Sequence, residues 1–179
     1  MDAAQERDEW LMAEVALGKQ DSLEPLVRRY ASRLLTFVDR MVGDLHRSEE
    51  IVQEVFLAIW VKRKQYTFPR PFKAWLFGIA LNHSRSSFRG RRLPTVAFQE
   101  HAAAASSPVE AAISTETADL VAAAITHLPP QQRTVVALRV WDGLSYAEIA
   151  DVLEREESTV RAHMHHGLAT LRKHLEARL

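Results

Sequence analysis

Apolar residues recur at three- and four-residue intervals through Leu23, Leu26, Val27, Tyr30, Leu34, Phe37, Val38 and Met41. That spacing puts them on one face of a helix with a buried stripe. Gly43-Asp44 ends it, because glycine accepts the left-handed backbone of a helix terminus. A second stripe, Ile51, Val52, Val55, Phe56, Ile59 and Trp60, predicts a helix from about 48 to 62. Its other face carries Glu50, Gln53, Glu54 and Leu57. In Tyr66-Thr-Phe-Pro-Arg-Pro71 two prolines two residues apart rule out helix, so this segment is a loop. Pro71 opens the next helix, which carries Phe72, Trp75, Leu76, Ile79 and Ala80. That helix runs out into Arg85, Arg89, Arg91 and Arg92.

The pattern stops between about residues 93 and 113. His101-Ala-Ala-Ala-Ala-Ser-Ser-Pro108 has no large apolar residue and reads as a flexible linker, although its alanines also suit a helix. Helical spacing resumes before Leu120. Pro130 suits the first turn of a helix, Gly143 can end it, and Ser145 with Glu148 forms a capping box for a short helix. A tight turn then leads to a longer helix with Val160, Met164, Leu168, Leu171 and Leu175 on its core face. This arrangement is a helix-turn-helix, a motif that places its second helix against DNA. No stretch alternates like a strand. The fold class is all-α, with two small helical domains at residues 1–94 and 114–179 joined by a linker at 95–113.

Composition narrows the chemistry. There is no cysteine, which excludes disulfides, cysteine zinc sites and thiol redox sensing. No apolar run approaches the roughly 20 residues that span a membrane, and the N-terminus lacks the layout of a signal peptide. A cytoplasmic protein without membrane insertion is expected. Net charge is zero, yet its distribution is uneven. Residues 1–57 hold 12 acids and 7 bases, whereas residues 58–94 hold 9 bases and no acid. The basic block is a footprint for a polyanion, and the acidic third suits a basic surface on a protein partner. No nucleophile–base set, phosphate loop or carboxylate pair supports catalysis, so neither enzyme activity nor a cofactor is expected. His163 and His166, three apart, could share a metal, but no cysteine or acidic pair completes a site, and none is expected.

On these residues the chain resembles the extracytoplasmic-function sigma factors of bacterial RNA polymerase. The likeness to sigma region 2 rests on Arg40-Met-Val-Gly-Asp44, Glu49-Glu-Ile-Val-Gln-Glu-Val-Phe-Leu57, Trp60, Phe72-Lys-Ala-Trp-Leu-Phe-Gly-Ile-Ala80 and Asn82. The likeness to region 4 rests on Leu128-Pro-Pro-Gln-Gln-Arg133, Gly143-Leu-Ser-Tyr-Ala-Glu-Ile-Ala150, Thr159-Val-Arg161 and Leu171-Arg172. The resemblance implies a protein that binds core RNA polymerase and directs initiation by reading −10 and −35 promoter elements and melting the DNA. It implies an anti-sigma factor as a further partner. A helix-turn-helix regulator that binds promoter DNA without polymerase is the alternative.

The resemblance also assigns surfaces. Glu49, Glu50, Gln53, Glu54 and Leu57 become the polymerase-docking face; the plain alternative is a solvated polar face. Tyr66, Thr67, Phe68 and Arg70 become the loop that holds a flipped base, with Asn82 beside it. Packing in the core is the other reading for Tyr66 and Phe68, and the preferred one for Phe72 and Trp75. Arg85, Arg89, Arg91 and Arg92 become phosphate contacts, which add affinity rather than sequence choice. Ser158, Thr159, Arg161, Ala162, His165 and His166 become the −35 readers. The sequence departs from the family in its stiff Pro69-Arg70-Pro71 loop. It departs again in Glu154-Arg155-Glu156-Glu157, which puts acids where a glycine turn is expected, and in His163, where a basic residue is expected. The acidic turn predicts weak −35 binding by the C-terminal domain alone, because like charges meet DNA phosphates there.

Overall fold

A computed structural model describes residues 3–88, 121 and 123–176. Among the described residues seven α-helices have defined bounds, residues 121 and 123–126 are also helical, and there is no strand. Four form an N-terminal bundle: α1 (Ala3–Ala16), α2 (Leu23–Val42), α3 (Leu45–Lys62) and α4 (Phe72–Phe88). Three form the C-terminal part: α5 (Pro130–Val140), α6 (Tyr146–Leu153) and α7 (Glu157–Glu176). The proposed linker and Arg89, Arg91 and Arg92 lie outside the described residues.

The stripes bury as their spacing requires. Leu26, Tyr30, Leu34, Phe37, Val38 and Met41 of α2 meet Ile51, Val55 and Ile59 of α3 and Phe72, Leu76, Phe77 and Ala80 of α4. Val52, Phe56 and Trp60 sit at the margin, only partly buried. Phe37 and Phe77 meet edge-on at 5.1 Å between ring centroids. Gly43 takes φ 71° and closes α2 through its N–H to the Asp39 carbonyl, 2.7 Å away. Asp44 caps α3 by accepting the Arg47 N–H at 3.1 Å.

The sequence pattern did not single out α1. Its inward face mixes Met12 and Val15 with two buried carboxylates, Asp8 and Glu9. Both acids are bonded, although the second Glu9 oxygen, Oε2, has no partner among the described residues. Asp8 accepts from the Tyr30 hydroxyl at 2.6 Å and pairs with Arg29; Glu9 accepts the Phe72 N–H at 2.9 Å, at the start of α4. A helix that buries charge by pairing it has no clean apolar stripe, so the usual signal is missing.

In the C-terminal part the capping box forms as expected, with reciprocal bonds between Ser145 and Glu148. Packing of α7 corrects one expectation. Leu168 is 47% exposed, and the buried position belongs to Gly167 beside it. A Cβ on Gly167 would lie 2.9 Å from Val136 Cγ2. Helices α5 and α7 therefore approach too closely for any side chain there, and the crossing turns Leu168 outward.

The two halves do not stand apart. Helix α5 packs on α2, and α6 on α4. Arg40 lies over the Trp141 ring at 4.0 Å. Thr134 Oγ1 reaches Met41 Sδ at 3.5 Å, and Arg133 Nη1 reaches the Arg40 carbonyl at 3.4 Å. Lys73 Nζ donates to the Asp142 carbonyl. Asp142 is buried in this contact, and desolvation pushes its carboxyl up to about 6 despite Lys73, Arg40 and Arg33 nearby. The same burial lowers Lys73 and Arg40.

Candidate nucleic-acid interface

On α3, Glu49, Glu50 and Gln53 are exposed, Leu57 is 64% exposed, and Val61 continues its apolar surface one turn on. Helical geometry puts 50, 53, 54, 57 and 61 on one face. Sequence reasoning missed what orders this face. Arg47 Nη1 donates to Glu50 at 2.7 Å and to Glu54 at 3.2 Å. His83 Nδ1 of α4 lies 3.1 Å from the other Glu54 oxygen. The His83 bond first, and Arg47 with it, holds the Glu54 carboxyl below the ordinary carboxylate range. Glu54 therefore presents a fixed negative charge, and Leu57 and Val61 present unpartnered apolar surface beside it. That combination suits a partner with basic and apolar groups together.

The loop between α3 and α4 divides its residues between two tasks. Tyr66 is a correction to its expected role as a base contact: it is only 6% exposed. Its ring packs against Trp75 and Phe72, and its hydroxyl donates to the Arg70 carbonyl. Burial pushes the phenol well above its ordinary value. Tyr66 thus shapes the loop from below. Phe72 and Trp75 are core, as preferred. Thr67, Phe68 and Arg70 remain outside, with Phe68 47% exposed. Asn82 and Arg85 are exposed on α4.

On α7, Ser158, Arg161, Ala162, His165 and His166 are exposed, and Thr159 is half-buried. Arg161 is held rather than loose. Its Nε donates to Glu157 at 2.9 Å, and its guanidinium lies 4.4 Å over the Tyr146 ring. Glu157 is therefore spent on a helical ion pair. Glu154 caps α6 in the left-handed conformation at φ 54°, where glycine would be unstrained.

The loop and the helix-turn-helix face each other. Arg70 from the loop and Asp151, Glu154, Glu156 and Thr159 from the α6–α7 turn line one cleft of ≈ 760 Å³. Arg155 of the same turn lines the cleft with them, so Asp151, Glu154 and Glu156 share it with two cations, one from each half of the chain. Among the described residues no helix is long and apolar enough to cross a membrane.

Two family models match the chain. Residues 26–93 match the Sigma-70 region 2 family and residues 118–171 the Sigma-70 region 4 family. The chain is 29% identical over 174 residues to the ECF RNA polymerase sigma factor SigW of Bacillus subtilis, covering 90% of this chain and 93% of that one. It is 31% identical over 169 residues to the ECF RNA polymerase sigma-E factor of Escherichia coli strain K12, covering 87% of each. Among solved structures, CnrH in complex with the cytosolic domain of CnrY superposes with a TM-score of 0.75 at 29% identity. That match covers 96% of this chain and 98% of CnrH.

Proposed function

The chain belongs to the extracytoplasmic-function sigma factors of bacterial RNA polymerase, and from that membership we propose how its surfaces divide the work. It is a sigma factor: it binds core polymerase and directs promoter-specific initiation. Residues 1–94 dock on polymerase and read and melt the −10 element. Residues 114–179 read the −35 element, and 95–113 tether the two. RNA synthesis itself belongs to the polymerase, and the chain acts in the cytoplasm, where polymerase and promoter are.

The observation that carries docking is the outward face of α3, where Leu57 and Val61 lie bare beside the fixed charge of Glu54. A helix-turn-helix regulator acting alone has no use for such a face. At the loop, Thr67, Phe68 and Arg70, with Asn82, hold the non-template strand, and Arg85 contacts phosphate. On α7, Ser158, Thr159, Arg161, Ala162, His165 and His166 meet the −35 duplex, with Arg161 set in place by Glu157 and Tyr146.

The packed arrangement is the form off DNA. The −10 and −35 elements are separate sites along the duplex. Arg70 and Thr159 line the same cleft, so both elements cannot be engaged until the halves separate. CnrH was solved with the cytosolic domain of CnrY; by that likeness this chain takes an anti-sigma factor as a further partner.

Run-off transcription with core polymerase tests the docking assignment. Leu57→Asp leaves the fold intact, because the side chain is exposed, and abolishes both core binding and transcripts. Undiminished core binding by Leu57→Asp with Val61→Asp overturns it.

A further inference from the structure

Trp10 on α1 lies outside every surface assigned so far, yet it is 65% exposed. The inward face of α1 is made by Asp8, Glu9, Met12 and Val15, so the bundle does not need this ring in its core. Trp10 reaches the −10 loop instead. Its ring centroid is 5.5 Å from that of Phe68, and the planes are tilted by 56°. With Tyr66 buried, Phe68 is the loop's exposed aromatic and Trp10 is its neighbour, brought from 58 positions earlier in the chain. We infer that Trp10 is a base-stacking residue for the melted non-template strand, extending the Phe68 surface onto α1; this rests on the loop being the −10 reader.

Three features fix the occupant as an unpaired base. First, the rings are too close to admit a base between them, which takes about 7 Å, twice the rise per stacked base. The tilt leaves the outer face of each ring open, so a base stacks on the outside of Trp10, continuing the strand from Phe68. Second, the charge is right for a strand of phosphates. Arg70 is in the loop, and Lys62 and Lys64 are exposed just before it. Third, the acids that flank Trp10 in sequence do not repel that strand. Asp8 and Glu9 are both buried, Asp8 against Tyr30 and Arg29 and Glu9 against the Phe72 N–H, so neither carboxylate faces the strand. An aromatic face amid cations, with neighbouring anions withdrawn, is how proteins hold single-stranded nucleic acid.

Stacking tolerates any base and does not depend on salt, unlike a phosphate contact. That difference makes the role testable in the holoenzyme. The probe is a promoter fork whose non-template strand continues single-stranded through the −10 region, from a promoter that the holoenzyme transcribes. Trp10→Ala weakens fork binding by about tenfold, the equivalent of one stacked base. The salt slope is unchanged, and so are core binding and binding to upstream duplex. Trp10→Phe keeps most of the affinity. An abasic site scanned along the tail finds one position that weakens wild type by a similar factor and costs Trp10→Ala nothing more. Wild-type fork affinity in Trp10→Ala overturns the inference, as does a loss shared with core binding, which would make Trp10 a protein contact. Phe68→Ala, measured alongside, separates the two levels. If it weakens the fork while Trp10→Ala does not, the loop reading survives and the role of Trp10 falls; if neither matters, both fall.

Discussion

Two sets of acidic residues are put to opposite use at the two ends of this molecule. Asp8 and Glu9 of α1 are buried and bonded, and they hold the N-terminal bundle together. Asp151, Glu154 and Glu156 of the α6–α7 turn are exposed and line one cleft with Arg70 and Arg155. Asp142 lies between these extremes, buried in the contact between the halves. The first set stabilises one domain. The second contributes little to its own domain and acts on what that domain meets: the basic loop in the packed chain, or phosphate on DNA. An acidic turn that looks like a defect in a DNA-binding motif thus shares a cleft with a cation from the other half of the same chain.

The sharpest break of this comparison is at Asp8. Asp8→Ala removes the carboxylate that accepts from the buried Tyr30 hydroxyl, and leaving a buried donor unsatisfied costs about 1–3 kcal/mol. We expect the thermal unfolding of the N-terminal bundle to drop steeply. Removing any one acid of the turn should leave it unmoved. Comparable losses at both places would erase the distinction.

Asp142 gives an effect of at most about 3 kcal/mol, read through pH. Its carboxyl is raised from 3.8 to about 6 in the packed state, so that state binds its proton more readily than the parted one. This group therefore penalises the packed form above pH 6. The penalty is relieved as pH falls from 6 toward 4, and a two-unit shift corresponds to about 3 kcal/mol. Distance between labels on α3 and α7 should shorten in population as pH drops from 7.5 to 5. Asp142→Asn should flatten that response. A response that persists in Asp142→Asn would remove Asp142 as its source.

The contrast between the acid sets also marks what the sequence could convey. Helices α2 to α7 were legible because apolar spacing and caps are local properties, as Gly43, Asp44 and the Ser145–Glu148 box attest. Helix α1 was not, since Asp8 and Glu9 interrupt its stripe and their partners lie 21 to 63 residues away. The packing of the halves hangs on Lys73 and Asp142, 69 positions apart, and no local pattern links them. Tyr66 and Phe68 look equivalent in the sequence; only the fold sends one inward and the other out. Leu168 matches the helical period, but Gly167 takes its place because α5 comes so near. The proposed docking face was visible as a set of positions, while the Arg47–Glu54–His83 network that fixes its charge was not.

Glu154 brings a smaller effect of opposite sign. It holds φ 54° without being glycine, a conformation that costs an ordinary side chain about 1–2 kcal/mol. Glu154→Gly removes that strain, and the extra freedom of glycine when unfolded returns part of it. A net gain of about 1 kcal/mol in the C-terminal part is expected by thermal or denaturant unfolding. A loss would mean that the Glu154 side chain supports the fold as Asp8 does.

Glu156 gives the smallest stability change and the most direct test of the comparison. It is exposed, so Glu156→Gln should alter unfolding by less than about 0.5 kcal/mol. Its charge, however, acts in two places. In the packed chain it lines one cleft with Arg70; on DNA it sits within a Debye length, about 8 Å, of phosphates. Removing it weakens closure and relieves repulsion, and both changes favour promoter binding by holoenzyme. The two contributions separate in a double-mutant cycle. Arg70→Gln should also loosen the cleft, but on the proposed reading it gives up a contact of the −10 loop with the non-template strand. If Glu156 works through Arg70, Glu156→Gln should part the labelled helices in wild type and have no further effect in Arg70→Gln. Its gain in −35 duplex affinity should remain in both backgrounds, since that part concerns DNA alone. Equal opening by Glu156→Gln with and without Arg70 would show that the two charges are near each other but uncoupled, and the acidic turn would then lose its role in holding the chain closed.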